Sequence, residues 1–268
     1  ITSGDVSNNG ASATIDGTTV NGNIEVSNAK VTNNGTGRAI TKKSGSITIG
    51  DGATIASSGD VAIEATDTAT VSVTNATLTA KNGAGTAISS DSSVTLTGAT
   101  ANGTVSSNSN ITLNGGTKIT GGTNMSAISK AYSLKAEGTG TDDAHKVSLV
   151  SSSDVATVNN ISSDVDLNYT SVKNTGTGDA IKVLSNNGAD VTIKNSTIDT
   201  VTTGTGKGVV ASDRNNVTVT SSTVTTGGSG IVAENTKNKV DVEDTNVKST
   251  SGNAVDAIIA TAATLAVV

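Results

Sequence analysis

An apolar-x-apolar triplet returns about every two dozen residues along nearly the whole of this chain. Its first residues are Ile24, Ile47, Val71, Val94, Ile111, Leu134, Val165, Val191, Val217, Val240 and Leu265, at intervals of 23, 24, 23, 17, 23, 31, 26, 26, 23 and 25 residues. A period of this length means a stacked architecture, in which each unit buries its apolar face only against its neighbours. Such a chain presents a long surface, and its function usually lies there.

One unit, Val71 to Ser93, shows the plan. Val71-Ser-Val73 alternates as a short strand with one buried face does. Leu78 is a second apolar station, and Ala87-Ile88 a third, each separated from the next by turn-forming residues. Other copies place Val31, Ile55, Ile119, Val172, Ile198, Val224 and Val247 at the second station. Ile40, Ile63, Ile128, Ile181, Val209, Ile231 and Val255 take the third, often after a small residue such as Ala39, Ala62, Ala127, Ala180 or Ala254. Four residues past the start stand Asn28, Asp51, Asn75, Gly98, Gly115, Gly138, Asn195, Ser221 and Asp244. Asn, Asp and Gly tolerate the left-handed conformation that a tight corner between strands needs. Asparagines stacked there can also hydrogen-bond along the stack. Tyr169 breaks the pattern, so a different corner is expected in its copy.

Composition decides how such a unit builds a core. Of the 268 residues, 34% are hydrophobic and 1% aromatic, with no Phe, Trp, Pro or Cys. A compact core of this size would use aromatics burying roughly 150–250 Å² each. This chain instead reuses small and β-branched residues, with the Ser, Thr, Lys and Asp between them facing solvent. Disorder is the alternative for so polar a chain. The charged fraction of 15% and the strand-like period of two argue against it. The expected fold is all-β: a right-handed, single-stranded parallel β-helix with three short strands per coil and about ten coils. Residues 1–268 are expected to form one continuous segment, cut from a longer repetitive chain, with a rod length of about 50 Å.

Stretches such as Val26-Ser-Asn28-Ala-Lys-Val31 and Val73-Thr-Asn75-Ala-Thr-Leu78, in Ser/Thr/Asn/Gly-rich coils without Cys, resemble the passenger domains of bacterial type V autotransporters. The resemblance covers residues 24–268. It implies an extracellular, cell-surface location and a role in adhesion, aggregation or biofilm contacts. The implied partners are host or bacterial surface glycans and proteins, or further copies of the chain. It carries over no catalytic residue, since no protease motif such as Gly-Asp-Ser-Gly occurs. Two alternatives stand beside it: a subunit of a β-solenoid filament, and a polysaccharide-active β-helix enzyme.

Net charge is −6, and arginine occurs only at Arg38 and Arg214, which argues against binding a nucleic-acid backbone. No run reaches the roughly 18–20 apolar residues of a membrane span. The irregular middle holds the residues closest to chemistry. The long interval after Leu134 contains Glu137 to Lys146 and a spare strand-like Val147-Ser-Leu149, and reads as a protruding loop. Tyr132, Asp142, Asp143 and His145, the sole histidine, are the candidate binding residues there. General acid–base catalysis needs two groups held at fixed separation, and adjacent carboxylates on a strand point apart. No enzyme activity and no catalytic residue are expected. Carboxylates and carbonyls of the loop are of the type that holds calcium. The calcium-roll pattern Gly-Gly-x-Gly-x-Asp is missing, however, and its nearest relative at Gly227 places Val232 where the ligand Asp belongs. One His and no Cys do not make a zinc site. No metal or cofactor is expected. The Gly-x-Gly segments at 35–37, 83–85, 138–140, 176–178 and 204–206 lack the helix a phosphate loop requires, and read as corners. Thr-x-Thr rows such as Thr77-Leu-Thr79 suit ice binding only if kept from copy to copy, and Lys30-Val-Thr32 shows they are not.

Overall fold

Each apolar station becomes a strand, and equivalent strands of successive coils pair side by side. In the computed structural model, which describes residues 1–126, 131–184, 188–214, 216–259 and 264–267, the strands form three sheets of 11 strands each. Every pairing is parallel, and each sheet takes every third strand in sequence order. The fold is a parallel β-helix. Its three sheets are called here wall 1, wall 2 and wall 3, in the order in which the first, second and third stations occur.

Wall 1 joins the triplet starts in unbroken register, from Ile24↔Ile47 through Val94↔Ile111 and Leu134↔Val165 to Val240↔Leu265. Wall 2 runs Val31↔Ile55, then Leu78↔Ala101, Ala101↔Ile119, Ile119↔Leu149 and Leu149↔Val172. The spare Val147-Ser-Leu149 is therefore the second strand of its own coil, displaced by the insertion before it. Ala101 fills the same place in the short coil, where an alanine among threonines carries little apolar signal. Wall 3 runs through Ile88↔Val105, Val105↔Thr123 and Thr123↔Val158. Thr123, not Ile128, holds the third station of the coil from Ile111. Ala127 and Ile128 lie outside the described residues.

The repeat also begins earlier than Ile24. Gly4–Asn8 pairs with Ala29–Asn33, and Ile15–Gly17 pairs with Ile40–Lys42, which brings walls 2 and 3 to the 11 strands that wall 1 has from its own triplets, against the ten coils expected. These first strands expose much of their surface, so the apolar alternation that marks later coils is weak in them.

The interior is a column of Val, Ile, Leu and Ala. Ile47, Ile49, Ile55, Ile63, Leu78, Ile88, Leu96 and Ile111 are completely buried. Burying a side chain of this size is worth about 1.5–3 kcal/mol, and the stack repeats that gain in every coil. Two basic residues depart from the expectation that charges face solvent. Lys42 is buried, and its Nζ donates to the carbonyls of Gly17, at 3.1 Å, and Val20. The guanidinium of Arg214 is buried too, and donates from Nη1 to the Ser163 carbonyl at 2.8 Å. Burial pulls its pKa down to about 10, against the opposing charges of Asp164 and Asp190.

The corner from wall 1 to wall 2 follows the sequence pattern closely. Asn28, Asn75, Asn195, Ser221, Asp244 and Gly98 all have φ between 47° and 60°. Tyr169 has φ 46° and makes the same corner, contrary to the expectation from its side chain. The stack imposes the conformation, at a local cost that coil pairing on both sides outweighs. At Asp51 and Gly115 the positive φ falls one residue later, on Gly52 and Gly116. Side chains do bridge coils here: Asn195 donates to Asn168 at 2.9 Å, Asn168 to Glu137 at 2.6 Å, and Asn75 to Asp51 at 2.8 Å.

Candidate functional site

The candidate loop, residues 138–146, joins the wall 1 strand Ser133–Glu137 to the wall 2 strand Val147–Ser151. It occupies the corner that most coils turn with one or two residues. Its root is tied down on both sides. The Gly116 amide donates to the Lys146 carbonyl at 3.1 Å, and the Gly138 amide donates to the Asn168 carbonyl at 2.9 Å. A Cβ at Gly138 would stand 2.4 Å from the Tyr169 carbonyl oxygen, so only glycine lets the loop leave the wall there. Beyond the root, Thr141, Asp142, Asp143, Ala144 and His145 are exposed.

The exposed residues are paired with one another. His145 Nδ1 lies 2.7 and 2.8 Å from the two carboxylate oxygens of Asp142. The Asp142 carboxylate also accepts from the Ala144 amide at 3.0 Å, and its carbonyl accepts from the amides of His145 and Lys146. Asp143 pairs with Lys146 Nζ at 2.8 Å. The His145 hydrogen bond holds the Asp142 carboxyl below the usual carboxylate range, and the Lys146 hydrogen bond and charge do the same for Asp143. Both carboxylates are therefore ionised at neutral pH. Acid–base work by a carboxyl pair calls for environments that push the two pKa values apart. Here both shifts point the same way. The local structure is a self-capped turn.

Tyr132 does not join this group. It is 37% exposed and stands at the other end of the Ser133–Glu137 strand, on the corner arriving from wall 3. A five-residue strand separates it from the loop by about 17 Å. Among the described residues, no group of three or more His, Cys, Asp or Glu side chains is placed to hold a metal ion, and no helix is long and apolar enough to cross a membrane.

A concavity of about 400 Å³ lies elsewhere, on the edge between walls 2 and 3. It arises from the lengths of four successive links. The link at 81–85 is long, Gly103 alone makes the next, residues 120–122 make the third, and residues 152–157 make a long fourth. Two short links thus sit between two long ones. The gap is about two strand spacings wide, or roughly 10 Å. One rim is the 3₁₀ turn Lys81–Gly83 with Ala84, and the other is the Ser151–Ala156 stretch. The visible signal in the sequence was the interval of 17 residues after Val94, the shortest of all. It marked a short copy without revealing which of its three corners was cut.

Compared with known protein families, characterised proteins and solved structures, the chain has no match. What it can do must be read from the rod itself.

Proposed function

We propose that this chain is a structural and adhesive β-helix displayed on a bacterial surface. On this reading it belongs to a secreted or autotransported protein, acts outside the cell in adhesion, aggregation or biofilm contacts, and performs no catalysis. The observation that carries the reading is the outer surface of an 11-coil rod, on which hydroxyls, amides and scattered charges repeat at strand spacing. On wall 1, for example, Glu25, Thr48, Ser72, Thr95, Thr112, Lys135, Asp166, Thr192, Thr218 and Asp241 form one outward row. Tight interfaces are anchored by buried Trp, Tyr and Arg. Of those residues this chain has two Tyr, with Arg214 buried and Arg38 paired to Glu64 at 2.8 Å. Single contacts should be weak, and many copies side by side would supply avidity. The self-paired carboxylates of the loop support the absence of acid–base catalysis.

The test is to couple the purified chain to beads at graded density. Adhesion to bacterial or epithelial cells should rise steeply with density, while soluble monomer competes poorly. Beads that fail to adhere at every density, or steady turnover of neutral and acidic polysaccharides by the soluble chain, would overturn the reading. Replacing Gly138–His145 by a Gly-Asn turn on the same beads separates loop contacts from wall contacts.

A further inference from the structure

We propose that the notch between walls 2 and 3 is a binding site for a neutral oligosaccharide. This goes beyond the adhesive reading, and rests on it only for context.

The polar lining of the notch is Thr104, Thr120, Asn124, Ser152 and Asn159, among others, together with glycine backbone. None of its lining residues is ionisable. A phosphate, a carboxylate or an ammonium entering it would lose water without gaining an opposite charge, which is costly. No aromatic side chain lines it either; its apolar lining is Val155, Ala84 and Ala156, enough to meet the C–H face of a sugar but no platform for a flat apolar ligand. What remains is a ligand whose surface is mostly hydroxyl groups.

The donor and acceptor arrangement suits such a ligand. Asn124 and Asn159 are register partners on adjacent strands of wall 3, and both face outward. Asn159 Nδ2 donates to Asn124 Oδ1 at 3.3 Å. That bond couples the two amides and uses Asn124 Oδ1 and Asn159 Nδ2, so Asn124 offers its Nδ2 donor and Asn159 its Oδ1 acceptor on the sides of the pair turned away from the shared bond. Each sugar hydroxyl is both donor and acceptor, so hydroxyls at successive positions of a saccharide can answer either group. The outward row continues through Ser106 and Ser89. Charged residues bound it, with Glu64 beyond Ser89 and Lys182 beyond Asn159. Lys81 on the rim is paired with Asp60 at 2.7 Å. The uncharged part of the row therefore spans the notch; on the other rim the exposed Asp154 carboxylate, outside the lining, accepts from the Ser153 hydroxyl at 3.2 Å.

The volume of about 400 Å³ and the half-open shape suit a short segment of a chain rather than a buried small molecule. Without an aromatic platform, binding is weak per site, with a dissociation constant of the order of 1 mM. Glycine shapes the floor: a Cβ at Gly121 would come 2.3 Å from the Gly103 carbonyl carbon.

The experiment is a titration of the folded chain, followed by its backbone amide resonances, with cellotetraose, maltotetraose and mannotetraose, and with tetragalacturonate as the anionic counterpart. At about 10 mM, at least one neutral tetrasaccharide should shift the resonances of Thr104, Asn124 and Asn159. Tetragalacturonate should shift them less. In N124A/N159A the apparent affinity should fall at least about tenfold, equivalent to about 1.4 kcal/mol. The variant T120A/S152A, in the links rather than in either strand, should weaken binding too and covers the case in which the first variant misfolds. Overturning results are an absence of shifts with all three neutral saccharides, shifts confined to residues outside the notch, unchanged affinity in both variants, or equal binding of tetragalacturonate. If N124A/N159A loses saccharide binding yet still adheres on beads, the notch stands as a site and adhesion belongs to other faces.

Discussion

Walls 1 and 3 have the same number of strands, but they are filled by different rules. On wall 1 the second inward position is Val26, Ile49, Val73, Leu96, Leu113, Ala136, Leu167, Ile193, Val219 and Val242 in turn, all buried and all apolar. On wall 3 the matching position carries Lys42, Ala65, Ser90, Ser107, Met125 and Asn160 before it becomes Val183, Ala211 and Ala233. The polar members serve the links that follow them. Ser90 and Ser107 hydroxyls both donate to the Ser92 carbonyl, at 2.9 and 2.8 Å, and Asn160 accepts from the Ser163 amide at 3.2 Å. Wall 2 ends its strands in the same way. Asn33 and Asn174 each donate to two carbonyls of neighbouring links and accept an amide two residues on. Where the link is short and repeated, as after wall 1, hydroxyls within the link itself serve the backbone: Ser196 accepts the Thr170 amide and Ser222 the Ser196 amide, each at 3.1 Å, and the inward row of the strands stays apolar. Where links vary in length, a buried polar side chain gathers their loose carbonyls and amides.

The largest effect expected from this contrast is at wall 1. Val73→Asp places an unpaired charge in the apolar column and should cost about 3–5 kcal/mol in urea unfolding. Ser72→Asp, its exposed neighbour, should change stability by less than about 0.5 kcal/mol. Equal effects from the two would mean that wall 1 does not alternate as described. An intermediate effect is expected at a link. Asn174→Ala removes donors to the Val155 and Asp179 carbonyls, at 2.9 and 3.0 Å, and strands the Gly176 amide. It should cost about 1–3 kcal/mol, with amide exchange accelerated in the links at 152–157 and 175–180 rather than in wall 1. Uniform loss of protection along the whole rod would contradict a local role.

The smallest effect concerns charge on the outer face of wall 2. Burial raises the Asp199 pKa, opposed by Lys173. A carboxyl raised in the folded state favours folding while it is protonated. That contribution is complete below the unfolded pKa and disappears as pH rises through the folded pKa. Stability should therefore lose this increment from about pH 4 upward. Asp199→Asn should flatten that part of the pH dependence and leave stability at neutral pH unchanged or slightly higher. A steeper loss of stability with rising pH in the variant would refute the sign.

The fold was legible because its signal is local and repeated. The wall 1 triplets, the second stations from Val31 to Val247 and most third stations could be read from alternation alone, since a parallel stack demands the same face in every coil. The coils that escaped were those where size or polarity hid the station: Ala101, Thr123, and the exposed strands before Ile24. The candidate site was less legible. Tyr132 and the Asp142–His145 turn shared an irregular interval, yet a strand places them at different corners. The notch left only one trace, the short interval after Val94, because it depends on the relative lengths of links up to three coils apart.

The amino-acid sequence alone determined the period, the alternation and the corner residues, because each of these is a short-range demand of the backbone on its own side chains. Tertiary structure decided the rest. Pairing on both sides forced Tyr169 into the same left-handed corner as the asparagines. Stacking carried Lys42 and Arg214 inside, where carbonyls from other coils receive them. It also set two short links between two long ones and aligned the amides of Asn124 and Asn159, which are 35 residues apart in the chain, in a shared hydrogen bond. No local pattern encodes such a meeting, since it follows only from how many residues each intervening coil spends on its corners.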